Sequence, residues 1–577
     1  MRALAAILCA LLLAAILPAQ QSSPPVPSPP ATAAHSAIGS AAPVPSGFRI
    51  AGVVVNSTTG QPLASASVAI ARLGRGVSRD ISQSVVTGPD GRFAFSALAQ
   101  GKYSLVGRAR GFEFQAYERH DQYSTAIAVG PGLDSEHLVF RLQPDASIEG
   151  VVTDENNDPV QYAMVRLFMT RSRDATRNSG PMMTAQTDDQ GHYRLGHLEP
   201  GAYYLAVSAR PWYAQNEHLP TLYKQSLQPA DSAAQEQHDD AALDVTYPLT
   251  FYPDATDSAD ALPLPLAPGA HETANIVLRA VPSLHLRIHT GEAAQKVSAD
   301  RMVFPRVSQR IFDSYLDSLF NAPQSTVAPG VIEISGLAPG HYVIEMPAAS
   351  AANEKAPMRA WYREIDLAGD ADINANDSPG FAAIGGTVLF ENATVPHGAL
   401  IDLLNPETGE SLRSDINSRG GFEFAADSVR PGRYVVALGN ARDFYMKRLV
   451  ATGAKMSGRT VEIGALANVR LAAIAAAGEG QVDGTALHED TPFSGAMIVL
   501  VPQDAANNTP LFRRDQSDSD GTFTLPNVVP GQYTVIALAN GWDLDWSNAA
   551  VLQPYLKRGT AVVVPPDGKL QVKVQVQ

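Results

Sequence analysis

Val529-Pro530-Gly531-Gln532-Tyr533 recurs in near copy along the whole chain, as Ala99-Gln100-Gly101-Lys102-Tyr103, Glu199-Pro200-Gly201-Ala202-Tyr203, Ala338-Pro339-Gly340-His341-Tyr342 and Arg430-Pro431-Gly432-Arg433-Tyr434. Each copy follows a short alternating apolar run and precedes another, so it reads as a sharp connection between two adjacent strands. Proline fixes φ, glycine admits φ > 0, and the tyrosine falls on the apolar side of the alternation, ring inward and hydroxyl near the rim. Successive tyrosines lie 100, 139, 92 and 99 positions apart, about one small β-sandwich each. The stretch is therefore a ruler, and it predicts an all-β chain: a tandem array of about five Greek-key β-sandwiches.

Working outward from each copy, a Gly or Asp-Gly turn stands upstream, as in Asp90-Gly91 and Asp520-Gly521, and a G-x-V strand opens every unit but the third, which opens on Ser283 to His289. The predicted units are 48–143, 144–281 with an aromatic insertion at 210–262, a divergent 282–368, a linker at 369–379, then 380–475 and 476–577. In the third unit Ile311, Phe312, Tyr315, Leu316, Leu319 and Phe320 fall at helical spacing and predict a short inserted helix.

Residues 1–19 have a short positive start and an apolar stretch of signal-peptide length, and 20–47 form a Pro/Ser/Ala-rich linker. Cys9, the single cysteine, lies inside the apolar run rather than after it, which argues against a lipoprotein anchor. The expectation is an exported chain (periplasmic, extracellular or outer-surface) with no disulfides and no membrane span in its mature part. A net charge of −15 speaks against nucleic acid and anionic membrane surfaces as partners.

The order G-x-V, polar turn, A-x-V, Thr187-Asp188-Asp189-Gln190-Gly191-His192-Tyr193-Arg194-Leu195 and Leu198-Glu199-Pro200-Gly201-Ala202-Tyr203 resembles the carboxypeptidase regulatory-like domain. That resemblance implies a transthyretin-like (prealbumin-like) sandwich related to the B-type repeats of bacterial surface proteins. It covers the first, second and fifth units well, the fourth fairly and the third in its second half. It implies a non-catalytic exported module for adhesion, scaffolding or binding, with a polysaccharide or an envelope protein as partner. A carbohydrate-binding (starch-binding-like) protein and an accessory of a metallocarboxypeptidase are the alternatives. Surface-protein B repeats often carry a Lys–Asn cross-link, but the opening strands here offer Arg49, Glu149, His285, Gly386 and Asp483 in place of the lysine.

No nucleophile elbow, His-Glu-x-x-His helix or P-loop occurs, so no catalytic residue and no cofactor is expected. His289-Thr290-Gly291-Glu292, with His397 further on, fits the metallocarboxypeptidase ligand spacing, yet it runs off a strand into a turn and reads as a solvated strand end. Asp370-Ala371-Asp372-Ile373-Asn374-Ala375-Asn376-Asp377 begins like a calcium loop but lacks the turn glycine and the closing glutamate, which favours an Asx-rich linker. The run Asp515 to Asp520 reads as a hairpin turn. Trp212, Tyr213, Tyr223, Tyr252, Trp542 and Trp546 lie off the strand pattern and are the candidates for stacking on a ligand. The plainer reading, which the sequence favours, places them at sandwich ends or in seams between units.

Overall fold

A computed structural model describes residues 47–577 apart from 75–82, 170, 174–175, 179–180, 215–242, 291–303, 313, 317–321, 329, 347–359 and 442. The candidates Tyr223 and Glu292, the segment 1–46, and Leu319 and Phe320 of the apolar stripe lie outside the described residues.

One strand arrangement repeats five times. The opening strand of each sandwich (Phe48–Asn56, Ala146–Thr153, Leu284–His289, Ala383–Phe390, Gly480–His488) runs antiparallel to the strand upstream of the Pro-Gly-x-Tyr turn. Its other edge takes a parallel strand at the end of the unit: Leu138–Leu142, His271–Thr273, Ala371–Asn374, Asn468–Ala477 and Lys569–Gln575. The strand after the turn enters the second sheet and pairs antiparallel with the A-x-V strand, as Gly201–Ser208 does with Met164–Met169. Between the sheets lies a separate apolar core in each of the five regions. Alternation of period two sends every second residue inward, so burial of these faces drives the layering.

The motif tyrosines are core residues, with Tyr103, Tyr203, Tyr342, Tyr434 and Tyr533 all at 4% exposure or less. In four units the hydroxyl donates to the carbonyl four residues back, from Tyr103 to Ala99 at 2.9 Å, Tyr203 to Glu199 at 2.6 Å, Tyr342 to Ala338 at 2.7 Å and Tyr533 to Val529 at 2.7 Å. This bond ties the turn to the core. The motif glycines divide: Gly101 (φ +151°) and Gly432 (φ +158°) take the positive φ expected, while Gly201, Gly340 and Gly531 do not. A Cβ at Gly201 would meet Met169 Cε at 2.2 Å, so a larger residue there requires only the end of that flexible side chain to shift. The upstream turn is left-handed, as at Gly191 (φ +74°).

Two segments depart from the sequence reading. The apolar stripe of the third unit is not helical: Arg306–Ile311 and Ser314–Leu316 are paired strands. Ile311 and Leu316 pack against Phe168, Leu249 and Phe251 of the second sandwich, forming an apolar seam between the two. The expected linker 369–379 contains the closing strand Ala371–Asn374 of the third sandwich, with Ile373 buried beneath it. The insertion in the second unit likewise lends a short edge strand, Thr250–Phe251, to the second sheet, and Leu264–Leu266 just after it pairs with the same strand.

Candidate functional site

The turn before the penultimate motif strand carries Asp188 in the second sandwich and Asn417 in the fourth. Each uses its side-chain oxygen on its own turn, Asp188 Oδ1 accepting from Gln190 N at 2.9 Å and His192 N at 2.8 Å, and Asn417 Oδ1 from Arg419 N at 2.9 Å and Gly421 N at 3.1 Å. This is ordinary Asx-turn chemistry. In the fifth sandwich the same position is Asp518, and its carboxylate points at the first sandwich instead. Oδ1 accepts from Ala126 N at 2.9 Å, and Oδ2 is held by Lys102 Nζ. Ser519 continues the docking, accepting from Ala128 N at 2.8 Å and donating its own N–H to Ala126 O at 3.0 Å. Asp520 takes over the local capping role by accepting from Thr522 N at 3.1 Å. The turn thus fastens onto the strand Ile127–Val129, an edge of the first sandwich's second sheet.

Beside the turn the same seam holds an aromatic box around one guanidinium. The Arg514 side chain is 1% exposed and donates through Nη2 to Asp121 Oδ2 at 3.0 Å. Its Cζ lies 4.8 Å from the ring centre of Tyr123, 5.5 Å from Trp542 and 4.6 Å from Trp546. His120 stacks on Trp542 with centroids 4.5 Å apart and planes within 7°. Gln516 donates to Glu118 O at 2.7 Å and to Thr125 Oγ1 at 2.8 Å, and its Oε1 lies 3.1 Å from His120 Nδ1. A desolvated cation over aromatic faces is worth up to about 2 kcal/mol for a good contact. Burial pushes the Asp518 carboxyl above its ordinary value, and Lys102 offsets part of that shift.

The aromatic candidates are therefore scattered rather than gathered. Trp546 is 3% exposed and packs with Leu552 of the short helix Ala549–Leu556, which leaves no face for a ligand. Trp542 is covered by His120. Tyr252 packs against the second core. Tyr213 is half-buried and donates its hydroxyl to Glu155 at 2.7 Å. Trp212, at 86% exposure, presents its ring to solvent, with Tyr213 edge-on to it at 5.7 Å.

The metal candidates do not converge. His289 Nε2 lies 2.9 Å from Asp372 Oδ1, while His397 is exposed on the fourth sandwich. Asp370 Oδ1 accepts from His285 N and Asn374 Oδ1 from Asn376 N, both at 2.9 Å, so these oxygens serve a strand and its turn. Among the described residues no group of three or more His, Cys, Asp or Glu could hold a metal ion, and no helix is long and apolar enough to cross a membrane. The seam residues Lys102, Asp121, Arg514, Asp518 and Ser519 escape sequence reasoning. Their one local signal is the acidic run before Gly521, which resembles any hairpin turn.

The family model of the carboxypeptidase regulatory-like domain matches residues 49–143 and 147–226. Those two segments are carboxypeptidase regulatory-like domains. The match spans less than half of the chain, and no curated protein matches the sequence. Among solved structures the chain is similar to the Bacillus anthracis TIE protein (10% identity, 92% of this chain and 74% of that one, TM-score 0.17). It is also similar to a streptococcal ancillary pilin (12% identity, 51% and 98%, TM-score 0.20) and to BcpA, the major pilin subunit of Bacillus cereus (10% identity, 75% and 99%, TM-score 0.14). TM-scores at that level support no conclusion about activity or partners.

Proposed function

We propose that the chain is an exported, non-catalytic multidomain β-sandwich protein that acts as an adhesion, scaffold or binding module at the cell envelope. The observation that carries this reading is the seam between the first and fifth sandwiches. Residues of the kinds that perform chemistry elsewhere (His120, Lys102, Arg514, Asp518) are spent there on fixing one sandwich against another. A similar use is made of Arg430 between the fourth and third, where its Nε donates to Glu345 Oε1 at 2.9 Å and its guanidinium sits 4.4 Å over the Tyr315 ring. Side chains committed to seams give fixed spacing and orientation of surfaces, which is what a scaffold supplies.

The test uses the mature chain without its first 19 residues, tagged at the C-terminus. Retention on cell-envelope fractions, together with protease accessibility of the tagged protein in intact cells, is the expected result. Release of C-terminal residues from peptides on adding zinc, abolished by changing His289, would overturn the reading in favour of a metallocarboxypeptidase-related role. The carbohydrate-binding alternative rests on Trp212, whose ring is free to stack on a sugar face. A glycan array in which the parent binds and Trp212→Ala does not would establish it.

A further inference from the structure

The cleft between the first and second sandwiches has a charge character opposite to that of the chain. Its volume is about 760 Å³, and it lies against the connector that runs from Pro144 to Ser147. Arg110, Arg194, His197 and His271 line it, with Asp145 as the one carboxylate in the lining. One of its oxygens, Oδ2, lies 2.8 Å from His197 Nδ1, while Oδ1 is buried without a hydrogen-bond partner. Arg110 makes no ion pair among the described residues, and the nearest carboxylate to Arg194, that of Glu149, is 3.8 Å away with both side chains more than half exposed. Ser147 is 2% exposed, and its hydroxyl lies 2.7 Å from His271 Nδ1, which orients the ring and leaves Nε2 as the free nitrogen. In a chain of net charge −15, two weakly compensated arginines beside two histidines are the arrangement that recognises an oxyanion.

Other cavities have the reverse or a balanced character. The 270 Å³ crevice where the first, second and fifth sandwiches meet sets Arg119 against Glu113, Asp121, Glu199 and Asp543. The 650 Å³ hollow beside the fourth and fifth pairs one glutamate, Glu479, with one arginine, Arg513.

The basic character stops at the cleft, but its lining is shared onward. Arg194 also lines a 660 Å³ groove on the outer face of the second sandwich, with two carboxylates, Glu149 and Asp188, and with His192, Thr273 and Asn275. Strand register sets Arg194, Glu149 and Thr273 in one row across three strands. Hydroxyl, amide and carboxylate groups along an open track suit a hydroxyl-rich ligand, and the track offers no deep apolar pocket for a peptide side chain.

We propose that this cleft and groove bind a carboxylate-bearing polysaccharide, with Arg110 and Arg194 on the carboxylates and the row on the second sandwich against the sugar hydroxyls. The proposal deepens the reading of an exported binding module and rests on it.

Isothermal titration of the mature chain with an oligogalacturonate tests it, with a neutral oligogalactan of equal length and a polyglutamate peptide as comparison probes. The expected result is saturable binding of the oligogalacturonate that weakens with salt and falls about tenfold or more in Arg110→Gln/Arg194→Gln. Both arginines are exposed, so that double variant keeps the parent's melting temperature, and His271→Ala supplies an independent lesion in the same wall. Equal affinity of parent and double variant, equal binding of polyglutamate, or no saturable binding of the oligogalacturonate overturns the proposal. If oligogalacturonate fails while retention on envelope fractions persists, the cleft assignment falls and the envelope-module reading stands. If retention itself is absent, that reading falls first.

Discussion

Replacing Arg514 with alanine removes the guanidinium that both sides of the seam share. The ion pair with Asp121 is lost, but Asp121 is 30% exposed and rehydrates, so this part costs only about 1 kcal/mol. Of its three ring contacts only the one to Tyr123 crosses the seam, since Trp542 and Trp546 belong to the same sandwich as Arg514. With the side chain almost wholly buried, that contact counts for roughly 0.5–2 kcal/mol. A net loss of about 2 kcal/mol in the closed seam is the expected outcome. The reporters are the amides of Ala126 and Ala128, whose acceptors belong to the fifth sandwich. Opening the seam exposes them to solvent without unfolding either sandwich, so a loss of about 2 kcal/mol speeds their hydrogen exchange by roughly thirtyfold. Amides of Ile70 and Leu105, inside the first sandwich's second sheet, should exchange as in the parent. Arg514→Lys keeps the charge without the planar fork and should fall between the two. Unchanged exchange at Ala126 and Ala128 in Arg514→Ala would refute the reasoning, because the turn would then dock without the aromatic box.

Tyr203→Ala should destabilise the second sandwich by about 3–5 kcal/mol, and Tyr203→Phe by about 1 kcal/mol through loss of the bond to Glu199 O, both read by denaturant melts of the mature chain. Tyr434→Phe should cost less than about 0.5 kcal/mol, because its hydroxyl makes no bond to the carbonyl four residues back. Burial pushes the Asp515 carboxyl up to about 6, so the fold favours its protonated form. That contribution is fully present below the ordinary carboxyl value and is lost as pH rises through about 6, so Asp515→Asn should match the parent near pH 4 and melt higher at pH 7.5. For His285, burial lowers the pKa, but Asp244, Glu333 and Asp370 together outweigh it and raise the value overall. Its support of the junction with the second unit's insertion, where Nε2 lies 2.7 Å from Asp244, is complete below about pH 6.5 and fades as pH rises through the raised value. The melting advantage of the parent over His285→Gln should therefore be largest near pH 5.5 and shrink by pH 9.

The sandwiches were legible because what makes them is local. Alternation puts one face inward, and Pro-Gly-x-Tyr joins two strands and seats a ring whose hydroxyl reaches only four residues back. The third unit misled for a physical reason. A strand buried on one face shows every second residue apolar, but at this hairpin Ile311, Phe312 and Leu316 all pack against the second sandwich while the Tyr315 ring lies under Arg430 of the fourth. Apolar residues on both faces produce pairs such as Ile311-Phe312 and Tyr315-Leu316, which mimic a helical stripe. At 369–379 the oxygen-bearing side chains drew attention, while the alternation that marks a strand rested on Ala371 and Ile373 between them.

The seam was not legible, since Lys102 and Asp518 are 416 positions apart and neither departs from what a surface turn or strand would carry. Yet the array contains its own comparison. A turn that folds alike in the second, fourth and fifth sandwiches spends its side-chain oxygen on its own backbone twice and on another sandwich once. Turn formation therefore does not need Asp518, because Asp520 caps the strand start. The carboxylate is free of its local duty, and it is the docking that uses it. Asp518→Asn separates the two roles: the amide retains an acceptor for Ala126 N but loses the charge that holds Lys102. The turn should persist, with Gly521 N still donating to residue 518 O, while exchange at Ala126 and Ala128 rises. Loss of the turn itself would mean that Asp518 serves its own sandwich as Asp188 and Asn417 do, and the repeats would then differ in surroundings but not in task.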